Sequence, residues 1–387
     1  MRRRFFWVLG FALVIFSISY AFLFWQLALT FQNHFCFGFI LCLPFVFILA
    51  HFIVMFLDLD VESDSNKSVI LFFQKSLQSA AYFSMPVLSL LVSLFVMRIG
   101  IFAALFLIRP DLIEVLFSVP ATLALFSLTV LLVGIGAWIA RRGLKVRSVQ
   151  LFYPGLNPDL NGINLVQISD LHMGATIHAD YVKKVVDQVN ALQSDFIVLT
   201  GDIGDGDPKS HSESLRELSF LKTRGNTQPS IFYVTGNHEY YWGGADWIEA
   251  IRKCGITPLL NSNQIITRGS ARLGIAGVTD SEPDPKKAFE GLADINFRIL
   301  LAHQPGIAEK AAALGFDLQL SGHTHGGQFF PWTLVIRKIH RFHLGLFQLG
   351  KMKIYVNAGT GSWGPPIRLG TRPEITHLFI RALKESD

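Results

Sequence analysis

The sequence has 387 residues, of which 51% are hydrophobic and only 16% are charged, and its formal net charge is +5. Ordinary soluble domains carry about 25% charged residues, so a wholly soluble chain is not expected. The modest charge, without an arginine-rich tail or a basic stripe, argues against a nucleic-acid partner. The three cysteines, Cys36, Cys42 and Cys254, form no CxxC pair, and a disulfide framework is therefore not expected.

The apolar residues are concentrated in the N-terminal part of the chain. Residues 1–140 are rich in Phe, Leu, Val and Ile, whereas residues 150–387 have the mixed composition of a globular domain. We therefore predict a membrane domain over residues 1–148 and a soluble domain over residues 149–387.

Four stretches of the membrane domain are apolar enough to cross a bilayer, which requires about 20 such residues in a helix. They cover residues 5–31, 37–57, 78–97 and 116–139. A cleaved signal peptide is not favoured for the first, because its apolar core would be only about 7–15 residues long. The following stretch 98–110 either extends the third span or lies at the membrane interface, and its Arg98 requires a polar partner if it is buried.

Lys and Arg in the short flanking segments predict the orientation of these spans. With four spans, Arg98 and Arg109 lie on one side of the membrane. The other flanking Lys and Arg all lie on the opposite side: Arg2, Arg3, Arg4, Lys67, Lys75, Arg141, Arg142, Lys145 and Arg147. We therefore predict an integral membrane protein whose soluble domain is cytoplasmic; a fifth span would reverse this orientation.

The soluble domain alternates strand and helix patterns, which is typical of an α/β fold with buried sheets. "INLVQISD" is a strand pattern that ends at Asp170, and "DFIVLTGD" is another that ends at Asp202. Between them, "DYVKKVVDQVNAL" places valines at helical spacing on one face. Later strand patterns lead to "GNHE", to "AHQP" and to "SGHTHGGQ".

Chemically active side chains follow five of these strand patterns. Loops at the carboxyl ends of strands gather on one side of an α/β sheet, so these residues can converge on one crevice. Each motif alone also has a simple structural explanation, such as a turn, a helix cap or a hydrogen-bonded core histidine. Five in succession favour a metal centre, and the mixture of carboxylate, imidazole and amide oxygen suits Mn²⁺, Fe²⁺ or Zn²⁺.

The motifs "DLH", "GDIGDG", "GNHE", "AHQP" and "GHTHGGQ" resemble those of the calcineurin-like metallophosphoesterases over about residues 160–380. The continuation "GQFFPWTL" and "VNAGTGSWGPPIRLG" is similar to the membrane-associated YkuE-like and YaeI-like branch. The resemblance implies a four-layer αββα sandwich with two divalent metal ions. It assigns the first metal to Asp170, His172 and His325, the second to Asn237, His303 and His323, and a bridging position to Asp202.

Two residues two positions apart share a face of an extended segment, so His323 and His325 are predicted to point in the same direction, one toward each metal. The resemblance further implies that His238 is the general acid and that Asp205 orients it. The arginine that follows this aspartate in protein phosphatases is Gly206 here, which argues against a protein phosphatase. Arg368 in "GPPIRLG" is the alternative partner for a substrate anion, although a structural ion pair would explain it equally well.

These features predict a membrane-anchored phosphohydrolase that cleaves phosphoester or pyrophosphate bonds. The segment 329–350 mixes aromatic and basic residues, which suits contact with an anionic bilayer and favours a lipid-linked phosphorylated substrate. The family branch implies UDP-diacylglucosamine as one such substrate. The alternative is a scaffold or transporter-like protein with a non-catalytic domain, but such a domain is expected to lose ligands and all seven are present. A structural zinc site would instead be four-coordinate and rich in cysteine.

Overall fold

The computed structural model describes residues 2–31, 46–48, 50, 67–225 and 230–383. The chain divides into two compact units, the first comprising Met1–Trp138 and Gly364–Leu369, the second Ile139–Trp363 and Gly370–Asp387. The predicted boundary between residues 148 and 149 rests on composition alone and remains a prediction.

The described part of the first unit is helical. Its helices are α1 (Arg2–Thr30), α2 (Lys67–Leu105), α3 (Asp111–Leu116) and α4 (Val119–Arg142). Among the described residues, two helical segments are long and apolar enough to cross a membrane, Ser76–Leu105 and Val119–Arg142, and a shorter apolar segment, Val14–Ala28, lies in α1.

The predicted third and fourth spans fall on α2 and α4. The stretch 98–110, for which two interpretations were open, extends α2 as far as Leu105 before the helix ends. The predicted second span, 37–57, lies mostly outside the described residues.

Arg98 has found the polar partners that its burial requires. Its guanidinium donates to the Gln26 side chain over 2.7 Å and to the Thr122 hydroxyl over 3.0 Å, and it lies over the Phe95 ring. The side chain is 3% exposed. One buried cation therefore links α1, α2 and α4 by hydrogen bonds, which offset part of its desolvation cost.

The second unit contains two six-stranded sheets. The first has the strand order β1-β12-β2-β3-β4-β5, with β1 Lys145–Tyr153, β2 Asn164–Ile168, β3 Phe196–Thr200, β4 Ile231–Val234, β5 Thr257–Pro258 and β12 Glu374–Ala382. The second has the order β10-β11-β9-β8-β7-β6, with β6 Ser262–Arg268, β7 Ala271–Gly277, β8 Phe297–Leu301, β9 Leu318–Ser321, β10 Gly345–Leu349 and β11 Met352–Val356.

Both sheets have parallel centres, β2 to β5 in the first and β7, β8, β9 and β11 in the second. The helices of this unit are α5 Ala179–Ala191, α6 Ser212–Leu218, α7 Asn237–Tyr241, α8 Gly244–Lys253, α9 Pro285–Phe289, α10 Ala308–Leu314 and α11 Trp332–Ile339.

Three apolar clusters show that these elements form four layers. The central cluster combines residues of both sheets, such as Val198 of the first and Ile299 of the second. A second cluster packs Val185 of α5 and Trp247 of α8 on the outer face of the first sheet. A third packs Ala311 of α10 on the outer face of the second sheet. The predicted α/β class and αββα layering are therefore confirmed.

Candidate metal centre

The predicted ligands all stand just beyond the carboxyl ends of parallel strands. Asp170 and His172 follow β2, Asp202 follows β3, Asn237 follows β4, His303 follows β8, and His323 and His325 follow β9. The parallel direction of β2, β3 and β4, and of β8 and β9, places these loops together. Two triplets of their side chains bring ligand atoms within 4.8 Å of one another, Asp170–His172–His325 and Asp202–His303–His323.

In the first triplet, two imidazoles and a carboxylate converge. The Nε2 atoms of His172 and His325 are 3.2 Å apart, and the same His325 atom is 3.2 Å from Asp170 Oδ1. The Nδ1 of His172 faces Asp205 Oδ2 at 3.2 Å, where its N–H can donate. Its Nε2 lone pair then points at the other two donor atoms, an arrangement that suits a bound cation.

In the second triplet, the tautomer of His303 is set by the main chain. Its Nδ1 lies 2.8 Å from the carbonyl oxygen of Thr200, which can only accept a hydrogen bond. Its Nε2 is therefore directed inward, 3.2 Å from His323 Nδ1 and 3.2 Å from Asn237 Oδ1. A main-chain acceptor that fixes the outer nitrogen is a common way of orienting a metal-binding histidine.

Asp202, a member of the second triplet, also faces the first. Its Oδ2 is 3.1 Å from His303 Nε2 and 3.8 Å from His172 Nε2, so one oxygen faces both groups. Its Oδ1 accepts the backbone N–H of His238 over 2.9 Å, which fixes the orientation of the carboxylate. This geometry is what a bridging ligand requires.

The backbone at these ligands is strained. Of the eight non-glycine residues with positive φ in the described part of the chain, five are predicted ligands: Asp170, His172, Asp202, His323 and His325. Such left-handed conformations are uncommon for these residue types and occur at functional sites, where the surrounding structure holds them.

The predicted reason for the shared direction of His323 and His325 is therefore wrong. Strand β9 ends at Ser321, and the two histidines have φ values of 69° and 50°. They do not alternate along an extended strand. Left-handed turns, rather than strand periodicity, send His323 to one triplet and His325 to the other.

Two glycines explain why the motifs have this composition. A Cβ on Gly236, before Asn237, would lie 2.0 Å from Asp202 Oδ1, and one on Gly322 would lie 2.1 Å from Asp170 Oδ2. Glycine is needed at both positions because a carboxylate ligand occupies the space of a side chain.

His238 and Asp205 are in contact, as their predicted roles require. His238 Nδ1 lies 2.5 Å from Asp205 Oδ1, and its Nε2 lies 3.9 Å from Asp202 Oδ2. Asp205 therefore orients two imidazoles, those of His172 and His238. Their catalytic roles remain predictions.

Burial and neighbouring charges shift the pKa values of the titratable side chains in this region. Burial alone would lower the pKa of His238, but the carboxylates of Asp202 and Asp205 outweigh it and raise this pKa to about 9. Burial and the neighbouring His303 lower the pKa of His323 to about 3. Burial opposes ionisation of Asp205, yet its two histidines hold the pKa of the carboxyl below its usual range.

Ionised carboxylates and convergent imidazole nitrogens at such short separations fit divalent cations. Oxygen and nitrogen donors without a thiolate suit Mn²⁺, Fe²⁺ or Zn²⁺, and binding would release protons from the imidazoles.

Glu239 is a buried acid for which the sequence pattern predicted no role. Its carboxylate accepts the backbone N–H groups of Asp202, Ile203 and Gly236 over 3.1, 2.6 and 2.7 Å. Burial and the charge of Asp202 raise its pKa to about 7, although those backbone donors oppose the shift. The sequence signal for this role is the glutamate that ends "GNHE", because an acid at that position can bind the loop that carries Asp202.

We expect Glu239→Gln to reduce metal affinity about 10–100-fold, which is typical for loss of a group that orients a ligand. The amide can no longer accept all three N–H groups, so Asp202 would lose its fixed position. Metal titration monitored by calorimetry measures the change. Glu249→Gln, at an exposed glutamate paired with Arg252, is the matched control. Normal affinity in the Glu239 variant would contradict this role.

Arg368 is not a member of these triplets. It lies in Gly364–Leu369, which belongs to the first unit, and its side chain is fully buried. Its backbone N–H donates to the Gly136 carbonyl over 2.9 Å. Its predicted contact with a substrate anion remains a prediction.

A family model described as calcineurin-like phosphoesterase matches residues 163–327. A bovine protein named transmembrane protein with metallophosphoesterase domain is 35% identical over 280 residues, which are 67% of this chain and 62% of that protein. An uncharacterised metallophosphoesterase of Campylobacter jejuni is 34% identical over 271 residues, 68% of this chain and 70% of its own length. The metallophosphoesterase YkuE of Bacillus subtilis, also uncharacterised, is 32% identical over 231 residues, 57% of this chain and 80% of its own.

The chain belongs to the calcineurin-like metallophosphoesterase family. It spans 62% of the bovine relative and 63% of a zebrafish relative of the same name. Apolar helices in the described part of this chain, together with relatives named as transmembrane proteins, indicate that it is membrane-associated.

Proposed function

We propose that this protein is a membrane-anchored phosphohydrolase that uses two divalent metal ions to cleave phosphoester or pyrophosphate bonds. The observation that carries the proposal is the position of Asp202, whose Oδ2 faces an imidazole of each triplet. The triplets supply the remaining ligands, with Asn237 beside the second. Bound cations would supply an activated water and neutralise phosphoryl oxygens.

The protein's own residues have four tasks in this reaction. The two triplets, which include Asp202, would hold the cations, and Glu239 holds the loop of Asp202. His238 is in position to protonate the leaving oxygen. The Asp205 carboxylate binds Nδ1 of His238, so that Nε2 of His238 faces the site. The positive flanking residues support a cytoplasmic position for this domain.

We expect thorough chelation to abolish phosphodiesterase turnover and Mn²⁺ addition to restore it. The purified full-length protein would be assayed with aryl phosphomonoesters, aryl diesters and nucleotide diphosphates, and metal content would be measured at each step. Turnover that survives complete removal of metal would overturn the proposal. Full metal occupancy without turnover of any of these substrates would favour the non-catalytic alternative.

The finer proposal is a lipid-linked substrate, such as UDP-diacylglucosamine. Helix α11 adjoins the centre: Gly327 packs so closely on Trp332 that a Cβ would lie 2.3 Å from its carbonyl oxygen, and the ring of His340 is 6.0 Å from that of His323. Trp332, Leu334 and Ile339 of this segment are exposed, at 40%, 53% and 67%.

This helix combines its exposed apolar residues with a basic pair, Arg337 and Lys338. Such a helix suits the surface of an anionic bilayer, where each basic residue contributes about 1 kcal/mol. A phosphorylated head group could then reach the metals while its acyl chains stay in the membrane. Phe329, which the sequence placed in the same surface, is 7% exposed and faces the interior.

We expect the triple change Trp332→Ser, Leu334→Ser and Ile339→Ser to lower turnover of a lipid substrate in anionic vesicles about tenfold or more, because apolar contact with the bilayer is lost. Turnover of a soluble aryl phosphoester should be unchanged. Phe220→Ser with Ile265→Ser, at exposed positions of the same unit, is the control. Equal loss on both substrates, or none on either, would remove the lipid proposal.

A further inference from the structure

Two aromatic side chains lie beside His238. The Tyr241 ring is 5.2 Å from the His238 ring, centroid to centroid, and the Trp363 ring is 6.2 Å from it. Both are solvent-accessible, Tyr241 at 52% and Trp363 at 56%. They come from separate parts of the chain, helix α7 and the loop after β11, so neither position is a consequence of the other.

The Trp363 backbone is held in place by one side chain. Gln328 donates through Nε2 to the Trp363 carbonyl over 2.9 Å and accepts the Trp363 N–H at Oε1 over 2.9 Å. The Gln328 backbone has positive φ, and its carbonyl accepts the Thr371 hydroxyl over 2.6 Å. The buried amide of Gln328, which follows the loop of His323 and His325, thus fixes the backbone that carries the exposed Trp363 indole.

Tyr241 is oriented from the same centre. It ends the five-residue helix α7, which begins at Asn237, a predicted ligand. The two exposed rings therefore both belong to segments that are fixed close to the predicted metal ligands. Anchored aromatic side chains lose little conformational entropy when a ligand packs on them, which is the usual advantage of a preorganised site.

We propose that Trp363 and Tyr241 form a binding subsite for a planar aromatic ring carried on the leaving group of the phosphoryl substrate, such as a nucleobase or an aryl group. The inference rests on the proposed function, because it takes His238 as the donor to the leaving oxygen. A group bonded to that oxygen emerges beside His238, where the two rings lie. Flat side chains favour stacking with another ring, whereas the exposed aliphatic residues of α11 suit acyl chains.

The test compares phosphodiesters whose leaving alcohols have matched pKa values, one aryl and one fluoroalkyl, so that both require the same protonation. We expect Trp363→Ala to lower kcat/KM for the aryl ester about 5- to 150-fold, the strength of one ring stack, and to leave the alkyl ester nearly unchanged. Trp363→Phe should retain most of the preference, and Phe220→Ala, at an exposed aromatic residue of the same unit, should retain all of it.

A binding measurement separates this inference from the proposed function. Calorimetry on the metal-loaded protein would compare uridine monophosphate, phenyl phosphate and ribose 5-phosphate. Tighter binding of the first two, lost in Trp363→Ala, supports the subsite even if no ester is hydrolysed, and their order distinguishes a nucleobase from a simple aryl group. If Trp363→Ala does not fold, Trp363→Leu makes the same comparison.

Two results would overturn the subsite. One is an aryl-to-alkyl ratio that Trp363→Ala leaves unchanged. The other is an equal gain from long alkyl chains and from aryl rings, which would make the pair a general apolar surface facing lipid. Absence of all turnover with normal discrimination in binding would instead refute the proposed function alone.

Discussion

Asp202→Asn is expected to lower kcat by roughly 10²–10³-fold or more, the scale of losing a central electrostatic contribution to the transition state. The substitution keeps the size of the side chain and can keep an acceptor for the His238 backbone N–H. It removes the negative charge that Oδ2 presents to His303 and His172 at 3.1 and 3.8 Å. Because the proposed function assigns this one carboxylate to both cations, metal occupancy should fall together with turnover.

The measurement combines metal content by mass spectrometry with kcat at saturating Mn²⁺. Asp280→Asn provides the matched control, because this half-buried aspartate accepts from Gln304 over 3.2 Å and lies outside the ligand triplets. It should keep both metals. An Asp202→Asn protein with full occupancy and near-normal kcat would show that the bridging assignment is wrong.

The sequence was most informative where chemistry and strand ends coincide. Runs such as "INLVQ" and "DFIVLT" are largely apolar, as a sheet buried on both faces favours, and they contribute the strands β2 and β3, although β2 also buries Asn164 and Gln167. Because parallel strands expose their carboxyl ends at one edge, the convergence of Asp170 and Asp202 could be predicted without coordinates.

The local backbone could not be predicted by the same means. Periodicity assumes regular dihedral angles, and His323 and His325 depart from them because neighbouring loops hold the residues in left-handed conformations. A strained turn is specified by distant contacts, such as the two bonds from the His323 N–H to Asp170, which is 153 residues away in sequence. No local pattern carries that information.

Polar pairs between residues far apart in the sequence could not be predicted for a related reason. Gln328 and Trp363 are 35 positions apart, and Arg98 and Gln26 are 72 apart. Each pair forms only after the fold has brought its elements together. The sequence could state that Arg98 needs a partner, but the choice of partner depends on how the helices of the first unit pack.

His238→Ala is expected to lower kcat about 10²–10⁴-fold while metal content stays unchanged, because the variant loses the proposed general acid but none of the predicted metal ligands. The contact between the His238 backbone N–H and Asp202 does not need the side chain, so the bridging carboxylate keeps its 2.9 Å anchor. The effect should therefore separate from that of Asp202→Asn, in which occupancy and turnover fall together. His178→Ala, at an exposed histidine that immediately precedes α5, is the control for loss of an imidazole.

The dependence on leaving group distinguishes protonation from positioning. An acid assists most when the departing oxygen is strongly basic, so the loss in His238→Ala should shrink steadily as the pKa of the leaving alcohol falls. A series of aryl diesters measured with the unchanged protein and with His238→Ala gives, for each, the slope of log kcat against the pKa of the leaving alcohol. The variant should show the steeper slope. Parallel slopes, with one constant loss across the series, would mean that His238 holds the phosphoryl group in place and that the proton comes from elsewhere.

Asp205→Asn provides a second comparison. If Asp205 acts through His238, the variant should reproduce the steeper slope. It should also weaken metal binding through His172, because Asp205 lies 3.2 Å from Nδ1 of that histidine.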